Sequence, residues 1–244
     1  MSSALYLSGV GARARMTQLE MVSNNLANVD TPGYKADEPL FSAALGMALE
    51  DEAGRLHKDA FPFVSTAEAG VRHESGSVSR TGRTLDVAIQ GNGFFLVQTP
   101  GGIRYTRSGA FSLNANGELA GPGGNPVLGS GGPISVGSAG ARIERDGSVV
   151  SDNGAVLGKL QIEEFLEPEK LHKQGESLFA APLDLVGLPV EHPQLEVASL
   201  EQSNVQAVHE LAKLLILQRA FDASMQALAA DDSASRQLIQ EMNP

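Results

Sequence analysis

The chain has 244 residues, 42% of them hydrophobic, which is enough to bury a core in one or two domains. Its 18 Lys and Arg stand against 29 Asp and Glu, a net charge of 18 − 29 = −11, which excludes the broad basic face that nucleic acid requires. There is no Cys, so disulfides, thiolate metal sites and Cys nucleophiles are excluded together.

At the start of the chain, MSSALYLSGVGARARMTQLEM has no basic segment ahead of an apolar run, and no cleavable signal peptide is expected. Leu5, Gly9, Ala12, Met16, Leu19, Val22 and Leu26 recur at spacings of three and four, which predicts a helix with one apolar stripe. The stripe is narrow and contains the seven-residue step Leu5, Ala12, Leu19, Leu26, which suits a partner helix. The helix is expected to stop at Asn28-Val29-Asp30-Thr31-Pro32-Gly33, because Pro32 lacks a donor and Pro-Gly favours a turn. Residues 36–80 carry little pattern beyond a hint of a short helix at Phe41, Leu45 and Leu49, and read as a connector that gains order on assembly.

The middle of the chain changes character, with 18 of the 27 glycines lying between Gly82 and Gly158. Leu85–Ile89, Phe94–Val97, Ile103–Thr106 and Phe111–Leu113 are short β-prone runs separated by Gly-Asn-Gly, Pro-Gly-Gly and Ser-Gly. Shorter runs follow at 126–128, 134–136, 141–143, 148–150 and 158–162, a spacing that predicts an antiparallel sandwich or small barrel. From Gln194 to Asn243 there is neither Gly nor Pro, which invites a long helix starting at a cap on Ser203 or Asn204. On it Ala207, Leu211, Leu214, Gln218, Phe221, Met225 and Leu228 repeat at four and three. These patterns predict an α+β chain whose long N- and C-terminal helices pair as a coiled coil, with a central Gly-rich antiparallel β domain. The boundaries expected are 1–28 for the N-terminal assembly helix, 29–80 for the connector, 81–193 for the β-rich outer domain and 194–244 for the C-terminal assembly helix.

No motif for catalysis, cofactor or metal binding emerges. GPGGNPVLGSGG from Gly121 to Gly132 lacks the Gly-Lys-Ser/Thr ending of a phosphate loop, and no helix pattern follows it to hold an anion. Asn116-Gly117 reads as a hairpin turn, since both residues tolerate positive φ. The five histidines have no HExxH frame, no G-x-S-x-G elbow is present, and the acidic groups at 163–169 and 231–232 read as solvated faces. Apolar runs such as Leu214–Leu217 are far shorter than the roughly 20 residues of a membrane-spanning helix, so no direct membrane insertion is expected. A secreted enzyme or a ligand-binding β module remains only as the alternative class.

The segment Ser23-Asn24-Asn25-Leu26-Ala27-Asn28-Val29-Asp30-Thr31-Pro32-Gly33-Tyr34-Lys35 resembles the N-terminal signature of bacterial flagellar rod and hook proteins. Two more blocks are similar to that family: LDVAIQGNGFFLVQTPGGIRYTRSGAFSLNANGELAGPGGNPVLG from Leu85, and LAKLLILQRAFDASMQAL from Leu211. The resemblance implies a structural axial subunit with no enzymatic activity and no cofactor, located in the basal-body rod across the periplasm. It implies export through the flagellum's own type III apparatus, and copies of itself and neighbouring rod proteins as partners. It also implies subunit-assembly roles for Leu5, Ala12, Leu19, Asn24, Asn25, Leu26, Asn28, Pro32 and Gly33. On the C-terminal helix the same role falls to Leu211, Leu214, Gln218, Phe221, Met225 and Leu228. The short chain and the passage PVLGSGGPISV look most like a proximal rod subunit, with a distal rod subunit as the alternative.

Overall fold

The computed structural model describes residues 3–40, 43–44, 63–64, 68–137 and 140–242. Phe41, Leu45 and Leu49, where a short helix was expected, lie outside the described residues. The chain divides into two compact units, one formed by residues 1–26, 37–70 and 206–244, the other by residues 27–36 and 71–205.

The first unit contains helix α1, Ser3–Ala27, and helix α2, Ala207–Met242, of 25 and 36 residues. At 1.5 Å per residue they are about 38 and 54 Å long. α1 buries Met21, Val22 and Asn25 near its C-terminal end. The two long helices do not pair as a coiled coil, which corrects the expectation from their heptad stripes. Several side chains on those stripes stay in solvent: Met16 is 54% exposed, Leu211 45% and Met225 48%, and Gln218 is exposed as well. The described bonds from α1 to α2 are polar, from Arg15 to Ser224 Oγ and from Asn25 Nδ2 to Glu210 Oε2. The physical reason is area: an apolar side chain contributes about 1.5–3 kcal/mol only when fully buried, and these stripes are not.

The second unit is β-rich. Its largest sheet has six strands, in spatial order His172–Lys173, Leu178–Ala180, Gly102–Thr106, Gly93–Thr99, Ile162–Glu164 and Leu188–Pro189, with antiparallel neighbours throughout. Smaller antiparallel sheets surround it, among them Ala141–Ile143, Ser148–Ser151 and Val156–Lys159 in one three-stranded sheet. Gly93–Thr99 explains the unbroken apolar run Phe94–Val97. Successive side chains on a strand point to opposite faces, so Phe95 and Val97 enter the main core with Val87, Phe111, Leu119 and Val149. Phe94 enters a second core with Phe165, Leu171 and Phe179 on the other face. The central strand is thus buried on both sides.

Two glycine features behave as turns. Asn116-Gly117 closes a hairpin in which Leu113 faces Leu119; Gly117 has φ +75° and Asn114 Oδ1 accepts from the N–H of Asn116 and of Glu118. Within GPGGNPVLGSGG, Pro122–Gly124 is one 3-10 turn, and Leu128–Gly129 pairs with Gly132–Pro133 across a second hairpin. The Gly- and Pro-free interval after Pro193 begins as strand rather than helix. Gln194–Val197 pairs with Val87–Gln90, and Ser199–Glu201 pairs with Val78–Arg80. The change of partner falls at Ala198, whose φ is +53° and whose carbonyl accepts from the N–H groups of Thr81 and Gly82.

Candidate assembly site

α1 ends inside the signature segment, at Ala27. After Ala27 the backbone turns: the Thr31 N–H donates to Asn28 O at 3.2 Å, the Thr31 hydroxyl donates to Asn28 Oδ1 at 3.2 Å, and the Tyr34 N–H donates to Thr31 O at 3.2 Å. Asn28 thus stabilises the turn with both its backbone and its side chain. Gly33 follows at φ +69°, and a Cβ placed on it would lie 2.3 Å from the backbone N of Ser108. Only glycine satisfies both the left-handed conformation and that approach.

Gly33 delivers the chain to a buried ionic cluster. Its N–H donates to Glu201 O at 2.8 Å, and two residues later Lys35 Nζ meets Glu201 Oε1 at 2.7 Å, both side chains being 1% exposed. Lys35 Nζ also donates to Glu74 O at 2.7 Å, and the Gly76 N–H donates to Glu201 Oε1 at 3.0 Å. Arg107 lies on the other side, with Nε 3.6 Å from Glu201 Oε2 and Nη1 donating to Gly93 O at 2.6 Å. One carboxylate therefore holds a lysine and an arginine out of water. Burial pulls the pKa of both cations below their ordinary values, and Glu201 offsets part of that pull.

Asn204 binds the same strands together. Its Oδ1 accepts from the Ala36 N–H at 2.7 Å, while its Nδ2 donates to Arg72 O at 2.8 Å and to Glu74 O at 3.0 Å. Its own carbonyl accepts from Arg72 Nη2 at 3.0 Å. Tyr34, Ala36 and Val205 form a small apolar cluster beside it, with Lys173 Nζ 3.9 Å from the centre of the Tyr34 ring. Both stretches that adjoin the helices in sequence, 33–36 and 199–205, are thereby fixed in the second unit.

His73 lies near this cluster, its ring 6.1 Å from that of Phe94 and 5.5 Å from that of Phe179. Neither imidazole nitrogen has a hydrogen-bond partner among the described residues. Burial first, then Lys35, Arg107 and Lys173, lowers its pKa from 6.5 to about 4, so the ring is neutral at pH 7.

The residues expected to act in assembly fall into several environments. In the first unit, Asn25 is 2% exposed and brackets the backbone of Asp37: Nδ2 donates to Asp37 O at 3.0 Å and Oδ1 accepts from the Asp37 N–H at 2.7 Å. Asn24 is exposed and donates to Asp37 Oδ2 at 2.8 Å. Leu19 and Leu26 are half-buried there, as are Leu214 and Phe221, whereas Leu211, Gln218 and Met225 are exposed. In the second unit, Pro32 is half-buried and Gly33 buried. The side chains of Leu5, Ala12 and Leu228 lie outside the described residues. Sequence reasoning missed Glu201 and Arg107, and read Asn204 as a helix cap, whereas α2 starts at Ala207 and Asn204 ties Ala36 to Arg72 and Glu74. Lys35 closes the signature, but no periodicity marks a partner 166 residues away.

The chain resembles known proteins along nearly its whole length. Residues 5–35 match the family of flagella basal body rod proteins, residues 88–166 the D1 domain of flagellar hook proteins FlgE/F/G, and residues 197–241 the C-terminal part of flagellar basal body rod FlgEFG proteins. It is 31% identical to the flagellar basal-body rod protein FlgF of Caulobacter vibrioides, over 99% of this chain and 98% of that one. It is 32% identical to the flagellar basal-body rod protein FlgG of Buchnera aphidicola from Acyrthosiphon pisum, over 98% of this chain and 100% of the relative. With FlgG of Bacillus subtilis it shares 28% identity over 98% of both chains.

Proposed function

The chain belongs to the flagellar basal-body rod protein family, and from that membership we propose how its parts serve the rod. It is a structural subunit of the rod in the bacterial flagellar basal body, not an enzyme, and it assembles with copies of itself and with rod neighbours. The observation that carries the division of labour is the contrast between its two ends and its middle. The β-rich unit is closed around two apolar cores and one buried ionic cluster, whereas α2 leaves Val208, Leu211, Leu215, Ile216 and Met225 exposed. Apolar side chains left in water on a helix gain stability when another subunit covers them. We assign the closed unit to load bearing and the terminal helices to binding between subunits, through contacts that join unlike surfaces and so extend an open helix. In such a rod the subunits transmit torque and line the central channel.

Its place is the proximal rod, on the strength of the passage Pro126–Val136. Equally complete matches to relatives named FlgF and FlgG support the distal rod as the second reading. Passage through the flagellar type III export apparatus is supported by the absence of Cys, which leaves no disulfide to hold the chain folded beforehand. Tomography of basal bodies in cells lacking the gene tests these assignments. A rod stopped near the inner membrane supports the proximal position, a rod stopped farther out the distal one, and complete rods in swimming cells overturn the structural role.

A further inference from the structure

A cleft of about 620 Å³ in the β-rich unit is lined by Arg80, Arg145, Pro193, Gln194, Glu196 and Val197 among others. Arg72, Arg83, Arg104, Arg107 and Arg142 of this unit each have a hydrogen bond or ion pair. Arg80 and Arg145 have neither among the described residues, and both residues line this cleft. Glu196, the one carboxylate lining it, already accepts from Gln90 Nε2 at 3.1 Å. With two arginines against one glutamate, the lining carries a charge of 2 − 1 = +1 in a chain of net charge −11, which favours an acidic occupant.

The chain carries a segment of matching chemistry. Between Glu163 and Lys170 there are four glutamates and one lysine, a charge of −4 + 1 = −3. In the middle of it Leu166 is 84% exposed, beside exposed Glu167 and Glu169. Glu167 is engaged by Lys170, while Glu169 has no hydrogen bond or ion pair among the described residues. Carboxylates beside an apolar side chain complement a cleft whose lining includes two arginines together with Pro193 and Val197.

We propose that the cleft lined by Arg80 and Arg145 receives the Leu166–Glu169 turn of a second copy of this chain, Glu169 meeting the arginines and Leu166 lying on Pro193 and Val197. This contact rests on the rod reading and deepens it. It joins two unlike surfaces, so each bound copy offers a free cleft or a free turn to the next, the condition for an open polymer. One such contact is smaller than the roughly 1,000 Å² of a self-sufficient interface, so it adds to the other contacts of the rod instead of producing a dimer in solution.

The Cys-free chain makes the test direct. Two full-length, differently tagged chains, Leu166→Cys and Gln194→Cys, are produced together in the bacterium from the flagellar locus, and basal bodies are oxidised and purified. Mixed-tag dimers are expected from the pair and none from either chain alone. Adding Arg145→Glu to the Gln194→Cys chain is expected to lower the mixed dimer about 2- to 5-fold, with partial recovery when the other chain carries Glu169→Arg. Swimming cells whose basal bodies contain no mixed dimer overturn the contact and leave the rod reading standing. Leu166→Cys dimers without the second chain also overturn it. Intact rods after deletion of the gene would remove the rod reading, and the contact with it.

Discussion

Glu201 faces both Lys35 and Arg107 with a single carboxylate, in a place where all three side chains are at most 2% exposed. Taking two charges out of water costs several kcal/mol each, so removing the shared partner is worse than never having built the cluster. Glu201→Gln keeps the shape and a hydrogen-bond acceptor but leaves both cations uncompensated. It is expected to destabilise the β-rich unit by about 3–5 kcal/mol, read from the urea midpoint. Gly33→Ala is expected to lower the same midpoint, because alanine must adopt φ +69° and place its Cβ within 2.3 Å of the Ser108 backbone. His73 gives the unit a pH dependence. Its folded pKa is about 4 against an ordinary 6.5, so the two states bind protons equally above 6.5. As pH falls from 6.5 towards 4, the unfolded chain takes up a proton that the folded ring refuses, and stability is lost through that window. Stability measured at pH 7 and pH 4.5 should differ less in His73→Phe than in the parent chain; an unchanged difference would assign the acid sensitivity to other groups.

At the scale of elements, periodicity announced what local forces decide and missed what distant residues decide. The run Phe94–Val97 and the hairpin at Asn116-Gly117 were legible because strand alternation and positive φ are properties of neighbours in sequence. The helices were legible from spacings of three and four, but their pairing was not. A heptad stripe states which side chains share a face, and says nothing of whether one chain supplies enough area to cover it. The ionic cluster was invisible for the opposite reason: Lys35, Arg107 and Glu201 have no local pattern, and only the fold makes them neighbours. Because α2 keeps much of its apolar stripe in solvent, its backbone bonds depend on a helix that little else supports. Hydrogen exchange of the isolated subunit should therefore be faster across 211–242 than in the strands Gly93–Thr99 and Gly102–Thr106. Protection of α2 equal to that of the strands would contradict this account.

For the whole molecule, the two ends of the chain have separable consequences. Shortening the protein before Leu211 removes most of α2 and none of the groups that hold the ionic cluster, so it should abolish rod formation and swimming while leaving the β-rich unit cooperative in urea. Glu201 adds a constraint of time. Lys35 and Glu201 are 166 residues apart, and a ribosome adds about 5–20 residues per second, so the lysine waits roughly 8 to 33 s for its counter-charge. Until then neither Lys35 nor Arg107 has the carboxylate that makes its burial tolerable, and the last strand beside Val78–Arg80 has not been made. The growing chain cannot complete its β-rich unit early. It stays open until about five-sixths of its length exists, and the same carboxylate that later makes the unit rigid sets the moment at which rigidity becomes possible.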